Sequence, residues 1–336
     1  MSIITFPTLD VAATEERVEN NVVRVYTQQE IDKSLSKEHR RTGFGCDITG
    51  CTTFQDILNE TGTDWHVDKQ PVYLGDGRQV PNNWAIIRDM DGKILSTQTV
   101  SDQFAPLQND ELSEIADGLI SEGAKPYRGG SYHGGANIWY EFDLSDTNIL
   151  GDPHKHSLII LNSHIGKGSV MIMDTLMRIV CSNQMNVAMK GTDRKWAIVH
   201  KGNMQLKMTE AQRAIMNANT YLEAYKATAE DLQRKSLTAG DVRALTEVLL
   251  PYGKDAKDTH ISLVNERRAR LTDLYYNKED LKDFGSTAYR FLSAVADYTS
   301  HPVLKRHTKT SNEANEHRIM TGDPMLQNAF KHLIAA

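Results

Sequence analysis

The chain has 336 residues, 40% of them hydrophobic, enough for one large or two ordinary domains around a substantial core. Its 38 Lys and Arg against 44 Asp and Glu give a formal net charge of −6, which excludes a protein that coats polyanions over its whole surface but leaves room for a local basic face. No apolar run approaches the roughly 18 residues of a membrane span, the first residues lack the layout of a secretory signal, and three cysteines suit a reducing compartment; a cytoplasmic protein without a membrane partner is expected.

Residues 1–60 read as a polar N-terminal arm, with one short helix over 28–37 capped by Thr27. The stretch from Lys37 to Gly45 reads as a basic arm or as a surface loop. Cys46 and Cys51 have a spacing that zinc can use, yet no two further donors follow, so no metal is expected. From Trp65 to Thr99 short apolar runs alternate with Gly75-Asp-Gly77 and Asp91-Gly92, hairpin signals because glycine accepts positive φ, and a β-meander is predicted. Asp110 opens an amphipathic helix through Ile120.

A second strand set follows Gly123, with Gly129-Gly-Ser-Tyr-His-Gly-Gly135 as a long hairpin turn whose tip can meet a ligand, then strands over 137–144 and 158–161. That glycine-rich link lacks the strand-then-helix context of a dinucleotide site, and no cofactor is expected. His154 and His156 find no acidic or thiol partner nearby in the sequence and read as solvated. Beyond residue 209 the period becomes helical, over 211–234, 239–250, 262–274, 286–298 and 324–334. The expected fold class is α+β: an antiparallel β-meander core with packed helices over 61–207, followed by a helical C-terminal region over 208–336.

Three groups of residues carry a resemblance. Residues 157–189 run through a strand, Asn162-Ser-His-Ile-Gly-Lys-Gly-Ser169, a second strand and Arg178-Ile-Val-Cys-Ser-Asn183. Trp65-His-Val67, Pro71-Val72, Val100-Ser101 and Phe104-Ala-Pro-Leu-Gln-Asn109 precede them, and Gly285-Ser-Thr-Ala-Tyr-Arg-Phe-Leu-Ser-Ala-Val-Ala-Asp-Tyr298 with His301 follows. Together these resemble the DUF932 family of phage and plasmid proteins, whose biochemistry is unassigned. Ile165 stands after His164 where such relatives often carry an acidic residue, which speaks against a metal at that turn.

Lys190, Arg194, Lys195, Lys201, Lys207 and Arg213 gather against only Asp193 and Glu210, with Trp196 and His200 among them. Cations interleaved with an aromatic ring suit a groove that follows phosphates and stacks bases; solvated lysines around a packed Trp give the same pattern. Lys167, in a turn able to cradle an anion, and Arg178 extend the set, with turn hydrogen bonds from Asn162 and Ser163 as the structural alternative. The expected nucleic-acid-binding residues are Lys167, Arg178, Lys190, Arg194, Lys195, Trp196, Lys201 and Lys207, with no catalytic residue assigned. Cys181, flanked by Ile179 and Val180, reads as packed and structural. Arg267, Arg268 and Arg270 lie on a predicted helix where only part of the set can share a face, and Lys305 to Lys309 with Arg318 read as a solvated tail or as a tether for nucleic acid or a neighbouring subunit.

The leading expectation is a non-enzymatic, phage-encoded protein that binds single-stranded DNA in annealing or recombination and works as a homo-oligomer, by fold-level analogy with phage annealing proteins. The alternatives are a metal-dependent nuclease or nucleotide-processing enzyme, for which no compact acidic motif is found, and a protein-binding adaptor against a host defence.

Overall fold

The computed structural model of the protein describes residues 29, 45–95, 98–165, 169–180, 183–189, 194–199, 204–303, 314–315, 317–318 and 320–335, with backbone alone at 169, 183, 196, 198–199 and 204–211. The helix expected over 28–37 lies outside the described residues except at Gln29, which is helical. Among the described residues no helix is long and apolar enough to cross a membrane.

In chain order the elements are β1 (Cys46–Asp47), α1 (Phe54–Thr61), β2 (Val67–Tyr73), β3 (Gln79–Arg88), α2 (Ser113–Ser121), β4 (Lys125–Tyr132), β5 (Asn137–Ile149), β6 (Asp152–Ser163), β7 (Ser169–Arg178), β8 (Asn183–Gln184) and β9 (Lys195–Val199). Helices α3 (Met204–Arg234), α4 (Ala239–Leu249), α5 (Asp258–Asn277), α6 (Ala288–Ser300) and α7 (Pro324–Ala335) complete the chain. The main sheet runs β1-β4-β5-β6-β7-β8, with β9 also on the free edge of β7, and every pairing is antiparallel. The fold is α+β with a helical C-terminal region, as expected.

The meander is present: β2 and β3 form a separate hairpin, closed where the Leu74 amide donates to the Arg78 carbonyl at 2.8 Å and Gly77 takes φ 84°. Isolated bridges then join Ile87 to Ile94 and Trp84 to Val100. Two local readings change. Residues 45–61 belong to the folded body, because β1 pairs with β4 and α1 buries Phe54, Ile57 and Leu58. The signal for α1 was the Thr53/Asp56 capping box, with Gly62 in the left-handed region ending the helix. Most of the glycine-rich link is strand rather than turn. Gly129 sits in β4 where a Cβ would come within 2.8 Å of the Tyr140 ring and 3.1 Å of the Trp139 carbonyl, so glycine is there for close packing.

One face of the sheet, with Tyr140, Phe142, Leu158, Ile160 and Ile172, packs on α1, α2 and Ala214 and Ala218 of α3. A second core joins Leu176, Met185 and Val187 to Tyr221 and Tyr225 of α3 and to the C-terminal helices. Helix α3 therefore spans the expected boundary near residue 208 and ties the two cores together. On the opposite sheet face Tyr132, Trp139, Ile159, Leu161 and Met173 pack with Met320. The late family motif forms α6, buried nearly all round: its polar stripe of Arg290, Ser293 and Asp297 is enclosed along with its apolar residues. Thr287 caps it by accepting from the Arg290 amide.

Candidate functional site

Residues from two of the three groups that carried the resemblance, Trp65 to Val67 with Leu107 to Asn109 and Asn162 with His164, meet where β6 ends. Where β6 ends, Asn162 Nδ2 donates to the Leu107 carbonyl at 3.1 Å and the His164 amide to the Ala136 carbonyl at 2.9 Å. His164 Nε2 donates to Asn109 Oδ1 at 2.9 Å, while Asn109 Nδ2 donates to the carbonyls of Thr63 and Trp65 at 2.8 and 3.1 Å. Gln108 acts as a substitute strand, accepting from the Val67 amide at 2.8 Å and donating to its carbonyl at 3.0 Å. The Trp65 ring lies 5.4 Å from the His164 ring, tilted by 53° to it, and 5.3 Å from the Arg88 guanidinium, which Asp91 neutralises.

Asn109, Asn162 and His164 form a buried joint. His164 is fully buried, and loss of water pulls its pKa down to about 4, so the imidazole stays neutral at physiological pH. Asn162 reaches a carbonyl 55 residues away instead of making local turn bonds. The anion cradle expected at Lys167 lies outside the described residues.

Two expected phosphate ligands are interior groups, which corrects their assignment to a groove. Arg178, 1% exposed, is clamped by the Asp152 carboxylate through Nε and through Nη2 at 3.1 Å. It also donates to Asp280 Oδ2 and to the Asp280 carbonyl at 3.2 Å each and lies 5.3 Å over Phe284. Arg194 is also buried, donating to the carbonyls of Asp174 and Thr321 at 2.6 and 2.8 Å. Gly322 makes room for it, since a Cβ there would stand 2.9 Å from Nη2. Charges already satisfied inside the protein cannot neutralise a polyanion outside it.

His154 and His156 are likewise fully buried, not solvated. His156 has an acidic partner after all, its Nε2 lying 3.2 Å from both Asp174 oxygens, while His154 donates through Nδ1 to the Asp152 backbone carbonyl at 2.9 Å, with the Asp152 carboxylate 3.6 Å from its Nε2. Burial raises the Asp174 pKa to about 6 against the opposing pull of His156 and Arg194, and burial lowers that of His154. The signal missed was cross-strand register: β6 and β7 pair with His154 opposite Arg178 and Leu158 opposite Asp174, which puts these groups on one face. Ile179 and Val180, expected to pack around Cys181, are 43% and 59% exposed; Cys181 itself lies outside the described residues.

Lys195 faces outward on β9. Partial loss of water around its ammonium, then the neighbouring Arg194, brings its pKa down to about 8, and it stays mostly charged at neutral pH. Trp196 pairs by backbone with Ile172, and Lys207 lies in the first turn of α3; their side chains, together with Lys190 and Lys201, lie outside what is described. Of the basic set on α5, Arg268 donates to the Leu250 carbonyl at 2.9 Å with Tyr252 at 4.2 Å, and Arg270 donates to the His301 carbonyl with Tyr298 at 4.8 Å. Both act at the C-terminal ends of neighbouring helices. Among the described residues no group of three His, Cys, Asp or Glu side chains could hold a metal ion.

No curated protein and no solved structure matches the chain. A family model described as a domain of unknown function, DUF932, matches residues 96–320, more than half of the chain. That span holds β4 to β9 and α2 to α6, with Asn109, Asn162 and His164 of the buried joint, and on that match the chain belongs to the DUF932 family.

Proposed function

We propose that the protein binds single-stranded nucleic acid, without cleaving it, along a cationic end of the main sheet. The observation that carries this reading is the pairing of β7 with β9, which sets Ser169 opposite Val199. The chain enters β7 from Gly166-Lys167-Gly168 and leaves β9 into His200-Lys201, so two lysine-bearing segments adjoin neighbouring strand ends. Helix α3 begins at Met204 with Lys207 in its first turn, where the helix dipole also favours phosphate. Lys195 adds an outward cation on the same edge strand, whereas Arg178 and Arg194 support the strands from inside.

Action on DNA in annealing or recombination, a phage origin, a homo-oligomeric state and a place in the host cytoplasm are proposed with it, on fold-level analogy alone. A metal-dependent nuclease would need converging ligands, and none stand together among the described residues, so no observation favours that second reading. The test is fluorescence anisotropy with labelled single-stranded, duplex and RNA oligonucleotides. Affinity for the single strand should exceed that for the duplex and fall at least ~10-fold between roughly 50 and 200 mM salt. A flat salt response, or no binding at low salt, contradicts the proposal.

A further inference from the structure

Helix α4 carries more apolar surface than the core takes up. Val242, Thr246 and Leu249 face inward and are buried, whereas Leu245 and Val248, with Ala244 beside them, line a groove on the adjoining flank. Leu333 of α7 and Leu237, just before α4, add to its apolar lining, and its volume is about 480 Å³. Small-molecule sites have this character, roughly 300–1,000 Å³ of mostly apolar lining with a few placed polar groups. Val248 is 47% exposed, so the apolar wall stays open to solvent.

Two groups of opposite charge line the same groove. Lys235, which follows the last residue of α3, donates from Nζ to the Leu333 carbonyl at 2.9 Å. That bond fixes the ammonium beside the last turn of α7 and leaves its other N–H donors for a further acceptor. Asp241, in the first turn of α4, accepts at Oδ2 from the Thr238 hydroxyl at 2.7 Å and the Thr238 amide at 2.8 Å. The hydroxyl, then the amide, holds its carboxyl below the usual pKa, and both bonds leave Oδ1 as an acceptor. No ion pair joins Lys235 to Asp241, so each is positioned by the fold and not by the other.

A cation and an anion held apart on one apolar groove match a ligand that carries both charges next to an apolar body. We propose that the groove between α4 and α7 binds a free α-amino acid with a large apolar side chain. Its carboxylate accepts from Lys235, its ammonium donates to Asp241, and its side chain displaces water from Leu245, Val248 and Leu333. A residue inside a peptide carries neither of these charges and a terminal residue only one, so the free amino acid is the occupant. None of these groups belongs to the cationic end of β7 and β9, and a failure at either place leaves the other standing.

The test is calorimetric titration of the full chain with L-phenylalanine at neutral pH. Saturable binding to one site is expected. N-acetyl-L-phenylalanine, which lacks the ammonium, L-phenylalanine amide, which lacks the carboxylate, and L-serine, which lacks the apolar body, should each bind at least ~10-fold more weakly. Lys235→Met and Asp241→Asn should each cost at least ~10-fold in affinity for L-phenylalanine; asparagine can still accept from Thr238 and so keeps the cap. Ala244→Phe, at an exposed helical position, should fill the groove and abolish binding in protein that melts like the parent, which keeps the test decisive if Lys235→Met fails to fold. Absence of saturable heat with L-phenylalanine overturns the site, as does parental affinity in Ala244→Phe. Equal affinity for L-phenylalanine and its acetyl and amide derivatives, or parental affinity in both charge variants, overturns recognition of the two charges.

Discussion

Replacement of Arg178 by methionine is expected to destabilise the protein by about 3–5 kcal/mol, because the carboxylates of Asp152 and Asp280 lose the cation that compensates their burial. Methionine fills most of the space, so the loss reports the abandoned charges rather than a cavity. Urea denaturation measures it as a large drop in midpoint at an unchanged slope. Binding of single-stranded DNA by the fraction that remains folded should be unaltered, since the guanidinium is 1% exposed. A loss of binding in a variant that unfolds at the parental midpoint would return Arg178 to the interface.

The second large effect is acid destabilisation through His164. Its folded pKa of about 4 lies below the ordinary value of 6.5, so the unfolded chain gains a proton first as pH falls. The stability tied to the neutral imidazole is fully present above pH 6.5 and is lost progressively as pH falls through about 4, an overall change of about 3 kcal/mol. Asp174 works in the opposite direction: its raised pKa of about 6 gives stability that is present below pH 3.8 and lost as pH rises through 6. The two windows overlap, so the informative quantity is the difference between the parent and His164→Gln, in which the amide can still donate to Asn109 and cannot titrate. Urea midpoints across pH 7 to 4 should fall more steeply in the parent. Parallel curves would mean that His164 is not the buried neutral group described.

Helices α2 to α7 and the first hairpin were legible because their signals are local; α1 was missed although its Thr53/Asp56 capping box is as local as theirs. The capped run after Thr238, the apolar stripe of α3 and Gly77 between β2 and β3 each act within a few residues. What was hidden depends on contacts between strands far apart in sequence. Nothing near His156 announces Asp174, which lies 18 residues on, and Arg178 looks like an available cation until β6 and β7 are placed in register. Asn162 and His164 were singled out by pattern, but their partners Leu107 and Asn109 come from a loop 55 residues earlier. The glycine-rich link misled for a related reason: Gly129 serves close packing inside a strand, and only His133 to Gly135 turn the chain. The hydrogen bond of Tyr132 with His317 joins residues 185 apart and had no sequence signal at all.

The most direct measurement of whether cations at the β7–β9 end hold phosphate is the slope of log affinity against log salt concentration for a single-stranded oligonucleotide. The parent is compared with a variant carrying Lys167→Gln, Lys201→Gln and Lys207→Gln. Each phosphate neutralised on a single strand contributes roughly 0.7 to that slope, so the triple variant should bind more weakly and flatten it by about 2. A triple variant with the parental slope and affinity would contradict the proposed interface.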